Sequence, residues 1–351
     1  MNNVFELLQA ADLVALQQRR DGETRLGESL QFLNPLLPLQ DALQAAVAAG
    51  ARYALIGIPE DLGPRANFGN GGAELGFQAF LSRFINLQHN ETIKPQQFVL
   101  IGQVPCQDLM LQGRELQSNN PDQLELLRQL CSQLDHRVLQ AVTPVFAAGL
   151  IPIVIGGGHN NALPLLQALA TTSGSAVDAI NLDPHCDFRL LEGRHSGNGF
   201  SYAHRAGWLR RYFVVGLHEQ KNSQTALTQM RQAGVGFCSY QQIYQRRDLS
   251  LAQAIDRALA FVDSTPSVPL GIELDTDAIS NMPVSAMTNT GVSVSDAEYY
   301  VYRLAKQPQV RYLHLAEAAP AMHPQGVKAG LSEAGQVLSA LVLAFVAAHS
   351  Q

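Results

Sequence analysis

Residues 151–159 read Ile151-Pro152-Ile153-Val154-Ile155-Gly156-Gly157-Gly158-His159. An apolar run with no polar alternation is the pattern of a strand covered on both faces. The glycines that follow mark an abrupt turn, and a histidine stands directly beyond it. Similar runs recur at Tyr53–Pro59, Phe98–Gly102, Asp178–Leu182, Tyr212–Leu217, Val235–Tyr240, Val268–Leu274 and Tyr312–Ala316. Amphipathic stretches separate them. Between Pro121 and Ala148, Leu124, Leu127, Leu130 and Leu134 fall at helical spacing. Asn119 or Asn120 caps that helix, with Pro121 in its first turn. Alternating strands and helices predict an α/β fold, three layers α/β/α, with a mainly parallel sheet of about eight strands.

No internal repeat, low-complexity segment or long linker breaks the pattern. Residues 1–45 read as an N-terminal helical extension and residues 46–351 as a single α/β domain.

Of 351 residues, 46% are hydrophobic and only 15% charged, against about a quarter charged in ordinary soluble chains. That excludes intrinsic disorder. It fits a large core, a sizeable subunit interface of a homo-oligomer, or both. A net charge of −6 lacks the basic field of a nucleic-acid binder. Glu6 and Asp12 precede Arg19 and Arg20, the reverse of a signal peptide. The run Val337 to Ala348 is too short to span a bilayer and reads as a buried helix, so no membrane partner is expected. Cys106, Cys131, Cys186 and Cys238 are scattered, which points to free thiols in a reducing cytoplasm.

Ligands of such sheets bind beyond the carboxyl ends of the strands. There the chain carries His159, then Asp183-Pro184-His185-Cys186-Asp187, then Asp275-Thr276-Asp277. Residues two apart on an extended chain face the same side, so Asp183, His185 and Asp187 converge, and so do Asp275 and Asp277. Clustered carboxylates repel unless cations sit among them. Hard oxygen ligands with a minority of imidazole suit Mn²⁺, with Zn²⁺, Fe²⁺ or Co²⁺ as substitutes. Two such ions about 3.5–4 Å apart would share a water and make it nucleophilic near neutrality. Cys186, lying between ligands, is expected to point away as a buried bystander.

These segments resemble the ureohydrolase superfamily of arginases, agmatinases and formimidoylglutamases, with its Gly-Gly-(Asp/Gly)-His, Asp-Ala-His-x-Asp and Ser-x-Asp-x-Asp motifs. The resemblance runs in order from about Gly57 to Pro320. Gly57–Asp61 and Asn67–Ala73 match the first strand and loop, and Leu315–Pro320 the closing strand. It implies an arginase-like fold and two manganese ions per subunit on His159, Asp183, His185, Asp187, Asp275 and Asp277. It also implies hydrolysis of an amidine or guanidine C–N bond. The chain departs from the pattern in several places. Pro184 stands where Ala is usual, and Glu273 where Ser is usual. Glu273 is expected either near the metals or paired with an arginine behind them. The family's Asp-Pro…Ala-Pro-Gly stretch after the last ligand is replaced by Ala278–Pro283. In the segment Gly291–Glu298, Asp296 is the nearest match to the glutamate that grips a guanidinium in arginases and agmatinases.

The segment after the third ligand bears on substrate. Ser196-Gly197-Asn198-Gly199-Phe200 resembles the Ser-Gly-Thr-Pro-Phe of formimidoylglutamases. From Asp187 to Arg211 stand Arg189, Arg194, Arg205, Arg210 and Arg211, against only Asp187 and Glu192. Arginines bind carboxylates bidentately, so an anionic small molecule is expected. The implied reaction is formimidoylglutamate to glutamate and formamide, a step of histidine degradation. Arg189, Arg194, Ser196, Asn198, Asn67 and Asp296 are the expected substrate contacts. His195 is the expected general acid, and Asp277 is expected to stabilise the tetrahedral intermediate. The alternatives are an arginase, agmatinase or other guanidino hydrolase, and a metal-binding member without turnover. His204, His218, His314 and His323 read as structural, and Asn160 and Asn161 as caps of the next helix.

Overall fold

The computed structural model describes residues 4–262 and 268–349. All eight apolar runs form strands. In chain order the strands are β1 (Glu6–Leu7), β2 (Gln31–Phe32), β3 (Tyr53–Gly57), β4 (Phe98–Gln103), β5 (Ile151–Ile155), β6 (Val177–Leu182), β7 (Leu209–Leu217), β8 (Gly236–Ser239), β9 (Leu270–Asp275) and β10 (Val310–Ala316). They make one ten-stranded sheet in the order β1-β4-β3-β5-β10-β9-β6-β7-β8, with β2 also paired to β4. Every pairing is parallel except β1 with β4.

Helices cover both faces. Because side chains alternate along a strand, Leu55, Ile153 and Ile155 enter one core while Ala54, Ile56 and Val154 enter the other. The first core packs under the helices Gly76–Phe84, Leu251–Val262, Val294–Ala305 and Val327–His349. The second packs under Leu39–Ala48, Pro121–Ala147 and Ala162–Ser173. Asn120 caps the long helix by accepting from the Asp122 and Gln123 amides, with Pro121 at its first position. The Val327–His349 helix is long and apolar enough to cross a membrane, yet Leu338, Leu341, Val342 and Phe345 are buried in the core. It packs as a core helix.

The N-terminal segment departs from the helical extension expected of it. Among the described residues before the Leu39–Ala48 helix, the only α-helix is Ala10–Leu13. Its β1 and β2 add to the sheet through β4. Phe5 and Leu33 bury in one core, and Leu13, Leu26 and Leu30 in the other. The two edge strands are each two residues long, too short to show periodicity.

Strands β5 and β6 are consecutive in sequence but separated by β10 and β9 in the sheet. The chain therefore leaves the centre in opposite directions. Such a switch point opens a crevice above the carboxyl ends of the central strands.

Candidate active site

The four central strands, β5, β10, β9 and β6, each deliver chemistry to that crevice. His159 follows β5, Glu317 follows β10, Asp275 and Asp277 lie at the end of β9, and Asp183, His185 and Asp187 follow β6.

The loop after β5 turns through Gly156 and Gly157 with φ of 87° and 73°. A Cβ on Gly157 would lie 2.6 Å from Asn161 Nδ2 and 2.8 Å from Glu60 Oε1, so only glycine fits there. Glu60, beyond β3, is fully buried. It accepts hydrogen bonds from the Gly158 amide (2.7 Å), Asn161 Nδ2 (2.7 Å), Asn160 Nδ2 (3.2 Å) and the Gly63 amide (3.2 Å). The two asparagines thus tie the loop to Glu60, and Asn161 makes no side-chain cap bond to the helix it was expected to cap. The result is a fixed His159.

Its Nδ1 atom faces carboxylate oxygens of Asp187 at 3.1 Å, Asp183 at 3.4 Å and Asp275 at 3.4 Å. On the other side His185 Nδ1 lies 3.0 Å from Asp277 and 3.6 Å from Asp183. The six expected ligands therefore fall into two groups, His159-Asp183-Asp187-Asp275 and Asp183-His185-Asp277, each with ligand atoms within 4.8 Å of one another. Asp183 belongs to both. Local bonds set the carboxylates: Asn181 Nδ2 donates to Asp183 Oδ2, and the Asp277 amide donates to Asp275 Oδ1.

The charges are unbalanced as they stand. Burial, then the charges of Asp187 and Asp277, push Asp183 up to about 7. Burial, then Asp277 and Asp183, push Asp275 well above the carboxylate range. Burial alone would lower His185, yet Asp277, Asp183 and Asp187 raise it to about 9. Burial likewise opposes protonation of His159, but Asp183, Asp187, Asp275 and Glu273 raise it far above the imidazole range. The cluster calls for positive charge. His159 Nδ1 and Asp277 Oδ1 are buried without a hydrogen-bond partner, as atoms reserved for a cation would be. Carboxylate oxygen with a minority of imidazole is a donor set for divalent manganese and its neighbours.

Four of the ligands, His185, Asp187, Asp275 and Asp277, line a cavity of about 330 Å³ with Asn67, Arg189, Ser196, Lys221 and Glu317 among its walls. That volume holds a small molecule. Asn67 Nδ2 reaches Ser196 Oγ at 3.4 Å across it. Glu317 has φ of 67°, and its Oε1 accepts from the His159 amide at 2.9 Å. Burial chiefly, with Asp277 and Asp187 nearby, raises it to about 8. Cys186 also touches the cavity, but it joins neither ligand group, and burial pushes its thiol up to about 12.

Several expected contacts lie elsewhere. Arg194 is buried, ion-paired to Asp135 at 2.7 Å and donating to Asn160 O. Asn198 accepts from Arg194 and the His195 amide and donates to Leu190 and Gly193 carbonyls, so both residues brace the loop rather than line the cavity. His195 is fully buried and its Nδ1 accepts from the Gly197 amide. Burial, then Arg128, Arg194 and Arg189, lower it to about 3. A neutral imidazole outside the cavity is not placed to deliver a proton. Asp296 sits in the first turn of Val294–Ala305, away from the cavity. Arg210 pairs with Asp178, and Arg211 donates to Phe261 O, both at the opposite strand ends. Of the five arginines only Arg189 lines the cavity. Glu273 meets no arginine: it accepts from Tyr312, and it contacts His314 and His159. His218 contacts Gln241 and stacks on Tyr240, a structural role.

Lys221 and Glu317 were missed by motif reading. Each follows an apolar run, β7 and β10, so the strand-end rule that found His159 was the available signal.

The model of the Arginase family matches residues 51–343. The chain belongs to the arginase family. Both ligand groups, Glu317 and Lys221 fall within that match. This arginase-family chain is 29% identical to the formimidoylglutamase of Chromobacterium violaceum over 286 residues, 80% of this chain and 84% of that one. Its fold is similar to the crystal structure of Trypanosoma cruzi formiminoglutamase with manganese, at TM-score 0.66 and 20% identity over 92% of this chain and 98% of that one. It is also similar to Bacillus subtilis formimidoylglutamase, at TM-score 0.67 and 14% identity over 92% and 93%.

Proposed function

We propose that this chain is a manganese-dependent amidinohydrolase that converts formimidoylglutamate and water to glutamate and formamide. The observation that carries the substrate is the cavity's mixed charge. Asp277 and Glu317 line it, and so do Arg189 and Lys221, neither of which makes a side-chain hydrogen bond or ion pair among the described residues; the Lys221 charge also helps lower Asp277. Formimidoylglutamate is cationic at its amidine and anionic at its two carboxylates, so it matches both signs. Arginine would bring an ammonium and a single carboxylate to Arg189 and Lys221, and agmatine an ammonium alone. Kinship with the formimidoylglutamase of C. violaceum supports the same substrate, and the manganese of the T. cruzi enzyme supports the metal.

His159, Asp183, Asp187 and Asp275 would hold one ion and Asp183, His185 and Asp277 the other. Manganese bound there supplies Lewis acidity and a nucleophilic water near neutrality. Glu317, raised to about 8 without the ions, would be ionised by their charge, receive the amidinium N–H groups and orient the formimidoyl carbon. Asn67 and Ser196 bind the substrate's flank, and Arg189 and Lys221 its carboxylates. His185 lowers Asp277 against the effect of burial, so Asp277 is ionised near neutrality. With Oδ1 left for the ion, the other oxygen of that carboxylate takes the proton shed by the attacking water and returns it to the leaving nitrogen. Residues 46–351 act as one catalytic unit in a cytoplasmic enzyme.

A panel of formimidoyl and guanidino compounds, assayed with Mn²⁺, tests the assignment. The highest kcat/KM is expected for formimidoylglutamate. A higher value for arginine or agmatine would overturn it, and a protein that binds manganese but turns over nothing in the panel would be a member without activity.

A further inference from the structure

The position two residues before Asp275 departs from the family's serine, and the structure gives the departure a setting. Glu273 is fully buried on β9. Its register partners are His314 on β10 and Asn181 on β6. Among the described residues no lysine or arginine pairs with it. Instead Tyr312 donates to Oε1 at 2.6 Å, His314 Nδ1 lies 2.6 Å from Oε2, and His159 Nε2 lies 3.3 Å from the same Oε2. The Tyr300 hydroxyl anchors the strand by donating to the Glu273 carbonyl.

We infer that Glu273 is a positioning residue of the metal centre: its carboxylate holds the His159 ring in the tautomer that offers Nδ1 to the ion, and Tyr312 and His314 hold the carboxylate. This rests on the two-ion reading above. An ionised carboxylate only accepts hydrogen bonds. With an ion bound, the proton between Glu273 and His159 would therefore sit on Nε2, leaving a lone pair for the ion on Nδ1. That is the buried, partnerless atom facing Asp183, Asp187 and Asp275. A carboxylate behind a ligating imidazole fixes its orientation and strengthens it as a ligand. A serine, being neutral, would supply neither the charge nor the obligate acceptor. The contact is one-sided: Glu273 touches His159, in the first ligand group, and not His185, in the second. The consequence is an effect on one ion of the pair.

Chelator-treated protein titrated calorimetrically with Mn²⁺ tests this. Wild type is expected to take two ions. Glu273→Gln, which keeps the shape and loses the charge, is expected to bind one ion about 10–100-fold more weakly and the other as before. Glu273→Asp, which retains the charge on a shorter arm, is expected to lose less at that same ion, and it carries the test if the Gln variant fails to fold. Folded variants that bind both ions with wild-type affinity would overturn the inference. Equal losses at both ions would also overturn it, since a merely structural role predicts that. Fewer than two ions in wild type would sink the two-ion reading and this inference with it.

Discussion

Oδ2 of Asp183 lies 3.4 Å from Nδ1 of His159, with both side chains excluded from solvent. The other oxygen of the same carboxylate faces His185 at 3.6 Å. One side chain at the end of β6 therefore joins the two ligand groups. Its geometry is held by Asn181 and by the His185 amide, which donates to Oδ1 at 2.6 Å.

Asp183→Asn should therefore weaken both ions, whereas Asp187→Asn should weaken only the ion on the His159 side. Metal content after gel filtration checks this. Activity of the Asp183 variant is expected to fall by at least about 10²-fold. Full occupancy of both sites in that variant would show that the ligand groups are misassigned.

Stability without metal should fall as pH rises. The folded Asp183 titrates at about 7 against an unfolded 3.8, so across that window the folded state holds a proton the unfolded state has lost. Raising the pH then costs stability. His185, raised to about 9 from 6.5, acts in the same direction: its contribution is complete below the unfolded value and lost as pH approaches the folded one. Manganese replaces the missing positive charge. The gap between the melting temperatures of loaded and metal-free protein should widen between pH about 5 and about 8. A gap that narrows over that range would contradict the charge assignment.

Arg189→Ala and Lys221→Ala should each raise KM for formimidoylglutamate by about tenfold or more, because hydrogen bonds to charged groups contribute about 1.5–3 kcal/mol. Turnover at saturation should change less, since both residues are assigned to the substrate's carboxylates rather than to its reacting carbon. Added salt should weaken wild-type binding more than that of either variant. Unchanged KM in both variants would remove the basis for an anionic substrate.

Glu60→Gln should destabilise the metal-free fold by about 1–3 kcal/mol, as an amide group turned toward the Gly63 N–H leaves a buried donor unmatched. Gly157→Ala should do comparable damage through its left-handed φ and the close Glu60 and Asn161 atoms. Denaturant titration measures both. A variant as stable as wild type would mean that the loop carrying His159 is not held as described.

The strands and the ligands were legible in sequence for the same reason. Buried parallel strands are written as unbroken apolar runs, and the polar residue that ends such a run, such as Asp183 or His159, has little reason to be there except chemistry. The N-terminal edge strands were illegible because two residues carry no period. Arg194 and His195 misled because proximity along the chain is not proximity in the cavity. The loop from Phe188 turns back on itself, so that Arg194 meets Asp135 on a helix and His195 faces inward among arginines. Glu273 was visible as a departure, but its partners come from β5 and β10, which no local spacing reveals.

The central claim is which C–N bond is cut. Hydrolysis as described releases the amine and formamide, whereas attack that expels ammonia would leave formylglutamate. Following formimidoylglutamate with the manganese-loaded protein by NMR distinguishes the two. The account predicts one formamide for each glutamate, with no ammonia and no turnover once the metal is chelated. Ammonia with formylglutamate, or no product at all from a protein carrying two manganese ions, would contradict it.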